Sequence, residues 1–78
     1  MSEEPAKTID LRGLSCPMPI LKTKKEIKTI EIGEVLAVLA SDPGAKEDFP
    51  RWAKRTNNEL LKVEDKGDYM IFYIKRNS

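Results

Sequence analysis

Apolar and polar residues alternate along Thr8-Ile9-Asp10-Leu11, with Ile9 and Leu11 on one face. A period of two predicts a short strand, which Gly13 then breaks. From Ile20 the period becomes helical. Ile20, Thr23, Ile27 and Ile30 fall on one stripe, flanked by Leu21, while Lys22, Lys24, Lys25 and Lys28 fill much of the rest. Pro17 suits the first helical position, where a missing N–H costs nothing, and Pro19 still falls in the first turn. The pattern predicts a helix from Pro17 to Thr29. Glu34 to Ala40 predicts a second strand; its core, Val35 to Ala40, is apolar on both faces and belongs inside a sheet.

Asp42-Pro43-Gly44 signals a turn. A second helix follows, and Pro50 is expected to split it. A loose turn covers Ala45 to Glu47, Asp48 serves as N-cap, and Pro50 sits in the first turn of the main helix. Phe49, Trp52, Ala53 and Thr56 form the inward stripe. Glu47 and Asp48 near the start and Lys54 and Arg55 near the end suit the macrodipole. Thr56-Asn57-Asn58 closes the helix, with an asparagine able to take the left-handed cap. Glu59 to Glu64 and Tyr69 to Lys75 predict two strands joined by a hairpin turn over Asp65-Lys66-Gly67-Asp68.

The order is β-α-β-α-β-β. Right-handed crossovers stepping the same way put both helices on one face. The last strand, Tyr69 to Ile74, is the most apolar and is expected to slot antiparallel between the second and third, leaving the charged third strand at an edge. The predicted fold is an α/β two-layer sandwich: a four-stranded mixed sheet of order 1-2-4-3 with two helices on one face. Strand alternation sets Tyr69, Ile71 and Tyr73 against Met70, Phe72 and Ile74. One set meets the helices. The other, expected to be the tyrosine set, forms either a docking or self-association surface or a modest amphipathic outer face.

Composition narrows the chemistry. The chain has 78 residues, enough for one domain over 1–78, with residues 1–6 read as a loose tail. Its 40% apolar and 35% charged residues suit a folded domain and not a disordered tail. With no histidine, Ser-His-Asp and Cys-His catalysis are excluded. One cysteine excludes an internal disulfide and, without histidine, a zinc site of thiolates and imidazoles. No metal or cofactor is expected. A balance of 14 Lys+Arg against 13 Asp+Glu argues against a dedicated nucleic-acid binder. The acidic N-terminus lacks the features of a signal peptide, and the longest apolar stretch is too short for a membrane span, so a cytoplasmic protein without membrane insertion is expected.

That leaves Cys16, at the junction of the first strand and first helix. This C-terminal edge of parallel strands is where ligands bind in open sheets. A helix start is expected to lower the thiol pKa, with Arg12 adding to the effect. Asp42, in the loop after the second strand, is expected on the same edge, where its charge opposes thiolate formation. The plainer alternative is a buried, inert cysteine. Pro19 stands where a C-x-x-C motif would carry its second thiol, so the chain cannot cycle a dithiol alone. What remains is a thiolate that accepts a group from one partner and passes it to another.

The run Leu11-Arg12-Gly13-Leu14-Ser15-Cys16-Pro17-Met18-Pro19-Ile20-Leu21-Lys22 closely resembles the C-P-x-P signature of the TusA/SirA family of small sulfur carriers. Asp42-Pro43-Gly44-Ala45, then Asp48-Phe49-Pro50 and Trp52, resembles that family's second block. The resemblance runs from about Ile9 to Ile74 and implies the same β-α-β-α-β-β sandwich. It implies that Cys16 accepts sulfane sulfur as a persulfide from a cysteine desulfurase or rhodanese-like donor. The sulfur then passes to a downstream carrier, toward 2-thiolation of tRNA wobble uridine or toward sulfur oxidation, with the protein acting stoichiometrically. Arg12, Gly13, Pro17, Pro19 and Asp42 are the expected supporting residues, and Met18, Lys22 and Lys25 the expected partner contacts. Asn57 stands where many relatives have glycine, which bears on the cap alone. The helix lysines either steer an acidic partner or tRNA, or form an ordinary solvated face. The competing functions are a small nucleic-acid-binding module and a regulatory interaction domain with a non-catalytic cysteine.

Overall fold

The computed structural model describes residues 4–78; the first half of the expected loose tail lies outside them. The elements are β1 (Lys7–Asp10), α1 (Met18–Glu26) continued by a 3-10 turn (Ile27–Thr29), β2 (Val35–Ala40), α2 (Ala45–Arg55), β3 (Glu59–Asp65) and β4 (Met70–Lys75). The sheet order is β1-β2-β4-β3, as the strand pattern predicts. β1 and β2 are parallel, and β4 pairs antiparallel with β2 on one side and β3 on the other. The pairing of β3 with β4 shifts register at Leu61, between Leu60 and Lys62. No helix among the described residues is long and apolar enough to cross a membrane.

The helix-side face of the sheet supplies Leu36, Val38 and Ala40 from β2 and Phe72 and Ile74 from β4, all fully buried. Onto it α2 presents Ala45, Phe49, Trp52 and Ala53, and the α1 segment presents Thr23, Ile27 and Ile30. Phe49 stacks on Phe72 with ring centroids 4.5 Å apart, and Trp52 meets Phe49 edge-on at 6.5 Å. Such contacts add to the area that the rings remove from water.

The opposite face is the tyrosine face, and it is half-buried, not bare. The Arg12 guanidinium lies 4.9 Å from the Tyr69 ring centroid, and Lys62 Nζ lies 4.9 Å from that of Tyr73. The Tyr73 hydroxyl donates to Glu64 Oε1 at 3.2 Å. Each ring is thus covered by a cation that is itself paired with a carboxylate.

Two expectations need correction. The first helix begins at Met18, with Pro17 as its N-cap outside the helix proper. More consequentially, α2 is continuous from Ala45, capped at Gly44, with Pro50 inside it and Asp48 in its fourth position. Pro50 costs the hydrogen bond that an amide there would give the Lys46 carbonyl. The helix survives because Ala45 and Phe49 lie on one stripe with Trp52 and Ala53, so burial holds both sides of the proline against the same sheet. At the far end Asn57 takes the left-handed conformation, φ 66°, as expected of the cap.

Phe49→Ala is expected to cost about 3–5 kcal/mol of unfolding free energy. Leu21→Ala, at a half-exposed position, should change it by no more than about 0.5 kcal/mol. Pro50→Ala should stabilise, by up to about 3 kcal/mol, since the ring is exposed and the amide regains its acceptor. Urea titrations check all three; a lower midpoint for Pro50→Ala would show that the proline is not a cost.

Candidate functional site

The C-terminal ends of β1 and β2 are stitched together. Leu11 N–H donates to the Leu39 carbonyl at 2.8 Å, and Gly13 N–H to Ser41 Oγ at 2.9 Å. Gly13 has φ +88°, a conformation that side chains disfavour, and it turns the chain back toward α1. Cys16 follows, exposed, with a cis peptide bond into Pro17. Pro19 is buried beneath the start of α1, and Met18 is 39% exposed beside it.

The expected anion-stabilising helix start is largely stripped of donors. Of the first backbone groups, Pro17 and Pro19 have no N–H, and Met18 N–H is spent on the Ser15 carbonyl at 2.9 Å. Instead the thiol faces carboxylates. Asp48, projecting from α2, lines the same small cavity as the thiol, and its carboxylate pushes the Cys16 pKa above its ordinary value. Partial desolvation and the charges of Asp48 and Asp42 push the same way. Both carboxylates gather at the start of α2: a Cβ on Gly44 would lie 3.2 Å from Asp42 Oδ2 and 3.6 Å from Asp48 Oδ2. The expectation of a lowered thiol pKa is therefore reversed.

Arg12 does not act on the thiol. Its Nε and Nη2 donate to Asp10 at 2.9 and 2.8 Å, holding the Asp10 carboxyl down to about 2, and it lies over Tyr69 on the other face of the sheet. Lys22 and Lys25 are exposed on the side of α1 that faces Glu26, whose carboxylate they help to hold ionised after the larger effect of Lys7.

What lies beside Cys16 is a cavity of about 190 Å³ between the two helices. It is lined by Pro17, Ile20, Asp48, Arg51, Trp52 and Arg55. The sequence reading missed Asp48, Arg51 and Arg55 as site residues. Their spacing, 48, 51, 52 and 55, is one helical face, visible once α2 is allowed to run through Pro50. Reading Pro50 as a break turned Asp48 into a cap and dissolved that face.

Chemically, the site is one exposed thiol whose neighbouring carboxylates favour the neutral form. It has no second thiol and no imidazole to activate it. Among the described residues no group of three metal-ligating side chains gathers. Such a thiol can accept a group and surrender it, but needs another molecule at each step.

A family model described as the sulfurtransferase TusA matches residues 7–76. The chain is 44% identical over 70 residues to YrkI of Bacillus subtilis, named as a candidate sulfur carrier, covering 90% of this chain and 93% of that one. It is 44% identical over 69 residues to the sulfur carrier protein TusA of Allochromatium vinosum, covering 88% and 91%. A crystal structure of a SirA-like protein from Desulfitobacterium hafniense superposes with a TM-score of 0.78 at 23% identity, over 92% of this chain and 99% of that one.

If Asp48 keeps the thiol protonated, Asp48→Asn should lower the Cys16 pKa. At a fixed pH below that pKa the thiolate fraction, and with it the rate of alkylation by iodoacetamide, should rise. The gain is partly offset by the lower nucleophilicity of a less basic thiolate. Asp42→Asn should act in the same direction and more weakly, since its charge is the smallest contribution. An alkylation pH profile unmoved by Asp48→Asn would remove Asp48 from the site.

Proposed function

Since the chain belongs to the TusA family of sulfur carriers, we propose that Cys16 is the atom that carries the sulfur, as a persulfide. The observation behind this reading is the setting of that thiol: exposed, at the sheet edge where two loops and two helix starts converge, with a carboxylate alongside and no resolving thiol.

The exchange balances without an external oxidant. A donor persulfide, R–S–SH, presents its outer sulfur to Cys16. A bond forms between Sγ and that sulfur as the donor's S–S bond breaks. The donor leaves as a thiol, taking up the equivalent of the proton that Cys16 gives up. Delivery is the same step with Cys16 as donor. Asp42 and Asp48 disfavour the unloaded thiolate, so the free protein reacts slowly with adventitious electrophiles and oxidants. The same carboxylates repel a persulfide anion, which favours passing the sulfur on over keeping it.

The proposed donor is a cysteine desulfurase or a rhodanese-like protein. The proposed acceptor is a downstream carrier protein serving tRNA wobble-uridine thiolation or sulfur oxidation, with tRNA linked only indirectly. We place the exchange in the reducing cytoplasm, where a lone thiol stays available.

Incubation with a cysteine desulfurase, pyridoxal phosphate and cysteine, followed by intact-mass spectrometry, tests the reading. Wild type should gain about 32 Da, reversed by reductant, and Cys16→Ser should gain nothing. No gain from the desulfurase or from a thiosulfate-fed rhodanese would move the assignment to an interaction domain.

A further inference from the structure

The charges of this protein are sorted by face. All four ion pairs among the described residues, Lys7–Glu26, Arg12–Asp10, Lys62–Glu64 and Lys66–Glu64, lie away from the groove between α1 and α2. In that groove stand Lys24, Lys28, Arg51 and Arg55, all exposed and none in an ion pair among the described residues. The α1 and α2 axes run in the same direction, because each follows a strand of a parallel pair. One groove therefore extends from the helix starts, at Cys16, toward the helix ends. Two cavities mark it: the one of about 190 Å³ at Cys16, and another of about 290 Å³ beside Lys24 and Lys28. The Trp52 ring lines both, over a floor that also includes Ile20 and Ile27. Trp52 is 3% exposed, and its Nε1 is buried with no hydrogen-bond partner among the described residues.

An apolar floor with unpaired cations along its walls fits a chain that alternates carboxylates with apolar side chains. We propose that this groove docks an acidic polypeptide segment of a sulfur-exchange partner. Its carboxylates lie against Lys24, Lys28, Arg51 and Arg55, and its thiol-bearing end reaches Cys16. A nucleic acid fits worse. The phosphate backbone has no use for the apolar floor, and no aromatic ring in the groove is free to stack on a base. The inference rests on Cys16 as the exchange site but concerns how a partner is recognised there.

Trp52 is the single tryptophan, so its fluorescence reports on the groove. Two arms test the proposal. In the first, a short synthetic peptide of Glu, Asp, Leu and Gly is titrated against the full chain beside its Gln/Asn counterpart and a short single-stranded RNA. The acidic peptide should give a saturable change in Trp52 emission that weakens with added salt, and the neutral peptide should give none. A saturable change with RNA that the acidic peptide fails to displace would overturn the proposal in favour of nucleic acid. Equal responses to acidic and neutral peptides would overturn it as well.

In the second arm, sulfur loading by the desulfurase is compared for wild type, the double variant Lys24→Glu/Lys28→Glu at the end of the groove away from Cys16, and Lys66→Glu, a hairpin control outside the groove. Thermal melts confirm that each is folded. Loading of the double variant should fall about tenfold in kcat/KM, while its alkylation by a small neutral reagent and the loading of the control hold. Equal loading of wild type and double variant rejects the groove and leaves the persulfide reading intact. Failure of wild type to load rejects the persulfide reading, and the peptide arm alone then decides the groove.

Discussion

β2 is the constraint from which the rest follows. It is apolar on both faces and must be covered on both. Parallel pairing with β1 along one edge requires α1 to cross over the sheet, and antiparallel pairing with β4 along the other requires β3 to be reached first by way of α2. Both helices then start at the edge where β1 and β2 end. Cys16, Asp42 and Asp48 come from three separate parts of the chain and meet at that edge for this reason alone. The Leu11 and Gly13 hydrogen bonds to Leu39 and Ser41 fix the spacing of the two loops. Disturbing β2 would therefore disperse the site without touching any residue in it.

The helix start at Cys16 carries a lesson about thiol chemistry. A cysteine at such a position is often taken as acidic, because free amides and the dipole favour the anion. Here two prolines remove amides that would do this, a third amide is already engaged, and a carboxylate from the neighbouring helix outweighs what is left. The balance goes to the neutral thiol. A sulfur carrier works only in contact with a partner, and in the role proposed for Cys16 a thiol that is quiet when alone suits that task.

The fold was readable from the residues because each element stated its period clearly and adjacent signals agreed. The apolar run at Val35 to Ala40, the Asp65 to Asp68 turn and the left-handed cap at Asn57 are local features, and local rules describe them. Pro50 was misread because its cost is local while the compensating burial of Ala45 and Phe49 is tertiary. The thiol's environment was misread for a related reason. Asp42, placed by sheet edge, does act on the thiol in the expected direction, but Arg12 is near it only in sequence, and whether Arg12 points to the thiol depends on strand phase. It falls with Asp10 on the tyrosine face. Asp48 lies 32 positions beyond Cys16 and could be placed beside it only by knowing where α2 begins.

The register shift at Leu61 bears on how this protein avoids self-association through its sheet edges. A four-stranded sheet that is not closed leaves two open edges, each able to pair with the edge of another copy. β3 is the longer of the two edge strands. It carries Glu59, Lys62, Glu64 and Asp65, and its pairing rhythm is broken midway by the register shift. The edge at β1 is only four residues long. Neither offers the long, flat, uncharged template from which cross-strand polymers grow.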